Sequence, residues 1–138
     1  MNDDSPGGAG ALLELSGRFQ PRRYVIGHSE LEIRSVAASG RVTSLKFFGV
    51  MAVKLKSGYN SLTVTDADEP LRSEVLSFIG VAGRSSAGRV RVFVLSGDSF
   101  VACFSLVVRE FANTKDTDGE LIWTSANRFA VETCLHDH

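Results

Sequence analysis

Arg89-Val90-Arg91-Val92-Phe93-Val94-Leu95 is followed by Ser96-Gly97-Asp98 and then by Ser99-Phe100-Val101-Ala102-Cys103-Phe104-Ser105-Leu106-Val107-Val108. Alternation with a period of two places successive side chains on opposite faces of an extended chain. Two such runs joined by a short polar loop with a glycine read as an antiparallel hairpin. Val90, Val92 and Val94 share one side of the first run, and Phe100, Ala102, Phe104, Leu106 and Val108 share one side of the second. The other side carries Phe93, Leu95, Val101, Cys103 and Val107 and is apolar as well. A hairpin apolar on both faces is expected to be central and covered twice, with the Cys103 thiol packed as a small hydrophobe.

Outward from this hairpin the chain keeps the same period. Leu31 and Ile33 alternate with Glu30, Glu32 and Arg34, which predicts a half-exposed strand over 30–36. A return strand is expected over 41–48 with Leu45 and Phe47 inward, and Gly49 marks a bulge or bend. The segment 50–56 continues with Met51, Val53 and Leu55 inward and Lys54 and Lys56 outward, and a short strand follows over 62–65. The stretch 17–27, with Pro21 among three arginines, is expected to start irregular and become extended near Tyr24. Further strands are expected over 120–125 and 128–135.

The period changes once. Asp66-Ala67-Asp68-Glu69-Pro70 combines a capping aspartate, acidic residues at the positive end of the dipole and an early proline, which together start a helix. Leu71, Val75 and Ile79, with Phe78 beside them, form its apolar stripe, and Gly80 and Gly83 end it, so a helix is predicted over 69–79. Eight strands and one helix without regular alternation argue against βαβ units. The fold class is mainly β (α+β): an antiparallel sandwich or rolled, barrel-like sheet with the helix over one opening.

At 138 residues the chain suits one domain, expected over 11–138 behind a disordered tail at 1–10. An apolar share of 43% suits a folded domain, and no apolar run approaches the ~20 residues of a membrane span. The acidic, glycine-rich N-terminus differs from a signal peptide, and two cysteines are too few for a disulfide scaffold, so the expected location is cytoplasmic. The net charge of −1 hides a division: residues 17–60 carry eight Lys or Arg against Glu30 and Glu32. Such a half can mark an anion-binding surface, and equally one side of a fold whose halves attract each other, or ordinary solvated faces.

Candidate chemistry is sparse. Cys134, His136 and His138 have ligand-type side chains but no paired fourth ligand by spacing, so no metal site is expected. His28, Ser29 and Glu30 are neighbours that an extended chain points to alternate faces, and Ser29 lacks a nucleophile elbow, so no catalytic residue is assigned. Residues 83–88 have the glycine spacing of a phosphate loop without its lysine, and 114–119 echo a calcium loop without its first ligand or its glutamate. No cofactor is implied. The residues offered for ligand contact are His28, Arg22, Arg23, Tyr24, Lys54 and Lys56.

Gly27-His28-Ser29-Glu30-Leu31-Glu32-Ile33-Arg34-Ser35, followed by Leu45-Lys46-Phe47-Phe48-Gly49-Val50 and Lys54-Leu55, resembles small uncharacterised bacterial proteins over roughly residues 24–64. A looser similarity runs to immunity-type proteins of bacterial toxin systems, which share an early histidine before a β-rich core. The resemblance implies a bacterial β-rich protein and transfers no binding residue. The expected function is that of a non-enzymatic domain working by contact with a protein partner or with itself. The alternatives are a pocket-bearing β domain that binds or converts a small molecule, and anion or nucleic-acid binding through residues 17–60. Nucleic acid and membrane are not expected partners.

Overall fold

The computed structural model describes residues 11–25, 29–36, 41–112 and 119–125. They form strands β1 (Leu13–Val25), β2 (Glu30–Ser35), β3 (Val42–Phe48), β4 (Ala52–Lys54) and β5 (Tyr59–Asp66), then helix α1 (Glu69–Phe78) and a 3₁₀ turn (Ser85–Arg89). Strands β6 (Arg91–Leu95), β7 (Ser99–Cys103), β8 (Ser105–Phe111) and β9 (Glu120–Thr124) follow. The tail expected over 1–10, His28, the strand expected over 128–135 and the Cys134, His136 and His138 set lie outside the described residues, as does most of the calcium-like loop.

All strand pairs are antiparallel and make one nine-stranded sheet in the order β4-β7-β6-β5-β1-β2-β3-β8-β9. That order requires curvature. β7 and β8 stand near opposite ends of the sheet, yet only Phe104 separates them in the chain, and only Gly49, Val50 and Met51 separate β3 from β4. The sheet therefore rolls back on itself without closing. At the corner, Phe104 N–H donates to the Phe48 carbonyl (2.9 Å) and Met51 N–H to that of Ala102 (2.8 Å), carrying the pairing across the bend.

The inside of the roll is filled. Leu31 and Ile33 of β2, Leu45 and Phe47 of β3, Leu62 and Val64 of β5, Phe93 and Leu95 of β6, Val101 and Cys103 of β7 and Leu106 and Val108 of β8 meet there with Phe19, and each is at most 2% exposed. Both faces of β6 and β7 are covered, but the pair lies beside the edge strand β4 rather than at the centre of the sheet, and the helix does not close an opening. It lies on the outside, where Val75 and Leu76 pack with Val90, Val92 and Ala102, and with half-buried Met51 and Phe100. Met51 thus belongs to the helix side rather than to the inner core. The helix itself starts as expected: the Asp68 carboxylate accepts from Leu71 N–H at 3.0 Å, and Pro70 occupies the first turn. Phe78 leaves the stripe and is 79% exposed, with Leu76 buried in its stead.

Two further expectations are corrected. Residues 17–25 are strand throughout, because β1 bends at Gly17 (φ +98°) instead of breaking: its first half pairs with β5 and its second with β2. Pro21 fits because Val36 N–H donates to the Arg18 carbonyl, which sets alternate residues toward β2 and turns the Pro21 nitrogen to the other edge. The run of Phe100, Ala102, Phe104, Leu106 and Val108 does not share one face. Between Phe48↔Ser105 and Ala52↔Ala102 the register slips by one residue, so Leu106 and Val108 join the inner core while Ala102 faces the helix. Phe104 sits at the corner and is half exposed.

Candidate functional site

Of the residues offered for ligand contact, Arg22, Arg23 and Tyr24 are exposed on the second half of β1, and Lys54 and Lys56 are exposed on and just after β4. They border one seam. β5 begins opposite Phe19, so residues 20–25 have a ladder partner only in β2, and β4 pairs only with β7. The seam is bounded by the Phe19↔Tyr59 pair and by the bond from Val50 N–H to the Ser29 carbonyl. The two lips do not build one platform. Tyr24 stands opposite Leu31 on the inner side of the sheet, whereas Arg23 stands opposite Glu32 on the outer side. Lys54 lies opposite Phe100, toward the helix, and Lys56 Nζ is 3.3 Å from Asp98 Oδ1. Beneath the seam, the buried Tyr59 hydroxyl donates to Ser99 Oγ (2.8 Å) and accepts from Lys56 N–H (3.0 Å).

A different polar constellation emerges on the outer face of β1, β2, β3 and β8. Register sets Arg23, Glu32, Lys46 and Val107 in one row across these strands, and Gln20, Arg34, Ser44 and Arg109 in the next. Glu32 is buried at 8% exposure and Ser44 at 4%. Ser44 Oγ donates to Glu32 Oε2 at 2.5 Å, and Arg34 reaches the same oxygen through Nε at 3.0 Å and Nη2 at 2.8 Å. The Arg34 guanidinium also lies 5.8 Å from the centre of the Phe111 ring. Alternation in β2 shows Glu30, Glu32 and Arg34 facing outward. Nothing local, however, says that Ser44 and Lys46 stand beside Glu32, since that depends on pairing partners twelve or more residues away.

Burial raises the Glu32 pKa, but the Ser44 hydroxyl, the Arg34 guanidinium and the Lys46 charge outweigh it, so the carboxyl titrates below its ordinary range. A depressed folded-state pKa contributes stability above the unfolded value of about 4.3 and loses it as pH falls through the folded value. Unfolding in urea at neutral pH and near pH 3 should therefore show Glu32→Gln less stable than wild type at neutral pH but less sensitive to acid. Equal acid sensitivity of the two proteins would show that Glu32 is not held ionised by these partners. Glu110 is lowered in the same sense by Arg41, in an exposed pair that contributes little.

Ser44 is buried under its own partners, and burial pushes the Cys103 thiol up to about 12, leaving it protonated at neutral pH. Residues 83–88 lead through the 3₁₀ turn directly into β6, and Arg72 donates to the Val90 and Ala87 carbonyls there, so this loop is tied to α1. No helix among the described residues is long and apolar enough to cross a membrane. No family model, curated protein or solved structure matches the chain.

Proposed function

We propose that the protein is a non-enzymatic, cytoplasmic binding domain that acts by surface contact with a protein partner. The observation that carries this reading is the filled roll. Phe19, Phe47 and Phe93 with nine aliphatic side chains, each at most 2% exposed, occupy the volume in which a rolled sheet of this kind would hold a small ligand. The residues left to act are then those that reach solvent: Tyr24, Phe104, Leu121 and Ile122 are each about half exposed, and the arginines of β1 are exposed.

The burial of the hairpin gives little support to self-association through these strands. Phe93, Leu95, Val101 and Cys103 are wholly buried in the single chain, and of that second face only half-buried Val107, on the outer side of β8, is left for a second copy to cover. A separate partner therefore fits better than a homodimer formed through these strands.

Thermal unfolding in the presence of a panel of metabolites and nucleotides tests the proposal. A ligand at about a hundred times its Kd stabilises the native state by about 2.7 kcal/mol, a shift of several degrees in a domain of this size. The expected result is an unchanged Tm across the panel. A saturable rise with one small molecule would replace the contact reading by the pocket-bearing alternative.

A further inference from the structure

We infer that the outer face of β1, β2, β3 and β8 docks an acidic surface of a partner protein, with Arg23, Lys46 and Arg109 as its contact cations. This rests on the contact reading above and names the partner's chemistry.

The inference begins with the charge division between the halves of the chain. Part of the positive half is neutralised internally: Arg34 by Glu32, Arg41 by Glu110 and Lys56 by Asp98. Arg18, Arg22, Arg23, Lys46 and Lys54 have no ion-pair partner among the described residues. Two of these five, Arg23 and Lys46, flank Glu32 in one row, roughly 10 Å apart across two strand spacings. Exposed Arg109 joins them from the next row, and among the described residues its one hydrogen bond is to the Gly119 carbonyl at 3.3 Å.

The Glu32 carboxylate does not cancel this face. It is buried, and its Oε2 is already engaged by Arg34 and Ser44, so four cations surround one occupied anion. Half-buried Glu30 at the margin removes one more charge and leaves an excess among the described residues. A rigid sheet presents the cations at fixed spacing, which favours fixed carboxylates opposite them.

The surroundings distinguish a protein from a nucleic acid. Half-buried Phe48 and Val107 and the exposed Leu121 share the outer side with the cations, a mixture of basic and apolar groups typical of protein contacts. Tyr24, the exposed aromatic nearest Arg23 in the chain, lies on the opposite side of the sheet and offers no base a stacking surface beside these cations. Strand addition at the neighbouring edge of β1 is also disfavoured, because Pro21, the slip in register between Pro21 and Arg23, and the arginines blunt it. Recognition therefore runs through side chains on the face.

Fluorescence anisotropy with a labelled polyglutamate peptide of about 20 residues, and with single-stranded DNA of similar length, tests the inference at low and physiological salt. The peptide should bind the full chain and weaken as salt rises. The combined Arg23→Gln, Lys46→Gln and Arg109→Gln variant, checked for an unchanged fold by circular dichroism and Tm, should bind at least about tenfold more weakly. Arg84→Gln with Arg89→Gln, two exposed arginines by the 3₁₀ turn, should stay within about twofold of wild type. Should the triple variant lose its fold, each single substitution is read instead and should weaken binding by about two- to threefold.

Absence of peptide binding, equal losses in both combined variants, or tighter binding of the DNA would each overturn the inference. With no ligand found in the thermal panel, such a failure removes only this face and leaves the contact reading in place. A small-molecule hit would remove both.

Discussion

Phe93→Ala should lower the unfolding free energy by about 3–5 kcal/mol, while Phe104→Ala should lower it by about 1 kcal/mol. The two residues lie eleven positions apart in the same apolar hairpin, and composition offers no reason to separate them. The structure does. Phe93 is fully buried in the roll, its ring edge-on to Phe47 with centroids 6.2 Å apart and planes at 60°. Truncation there removes an aromatic pair and opens a cavity among side chains from six strands that cannot all collapse into it. Phe104 stands at the corner between β7 and β8, 50% exposed, and its removal uncovers backbone without hollowing the core. Since the total stability of such a domain is about 5–15 kcal/mol, the first variant should show a greatly lowered urea midpoint and poor soluble yield. Comparable losses in the two variants would mean that the strand faces are assigned wrongly.

The contrast shows where local patterning carries the fold and where it stops. Alternation in residues 30–36, 41–48 and 89–95 identifies β2, β3 and β6 and their inward residues, because a strand with one buried face must repeat every two positions. Asp68 and Pro70 likewise locate the start of α1, since capping is settled within four residues. The corner is different in kind. Residues 99–108 carry no charge, and Ser99 and Ser105 are their only polar side chains, so a one-residue slip puts no charged residue out of place, and alternation runs through Phe104 unbroken on paper. β1 was obscured for the opposite reason: Gly17 and Pro21 resemble loop residues, yet one serves a bend and the other an edge. The outer-face cluster was the least legible. Arg23, Glu32, Lys46 and Arg109 span 86 positions of chain and meet only through three strand pairings.

The corner itself supplies the second large effect. Gly49→Ala should destabilise the protein by about 2–3 kcal/mol, and by only about 1 kcal/mol when Phe104 is already alanine. Gly49 has φ +69°, where an L-residue pays a backbone penalty of about 1–2 kcal/mol. It also lies beneath the Phe104 ring, so an added Cβ would fall 2.3 Å from Phe104 Cδ2 and 3.0 Å from Cγ. The ring must then leave the corner it covers, and that share of the loss disappears once the ring is gone. Gly17 provides the comparison: its φ is +98°, but a Cβ there meets nothing within 4 Å. Gly17→Ala should therefore carry the backbone penalty alone, and the same one whether position 104 is Phe or Ala. Urea denaturation of the four proteins in each cycle reads the difference directly. If Gly49→Ala costs the same in both backgrounds, the ring does not depend on a bare backbone at position 49, and the bend that carries β3 into β4 must be held by the hydrogen bonds of Phe104 and Met51 alone.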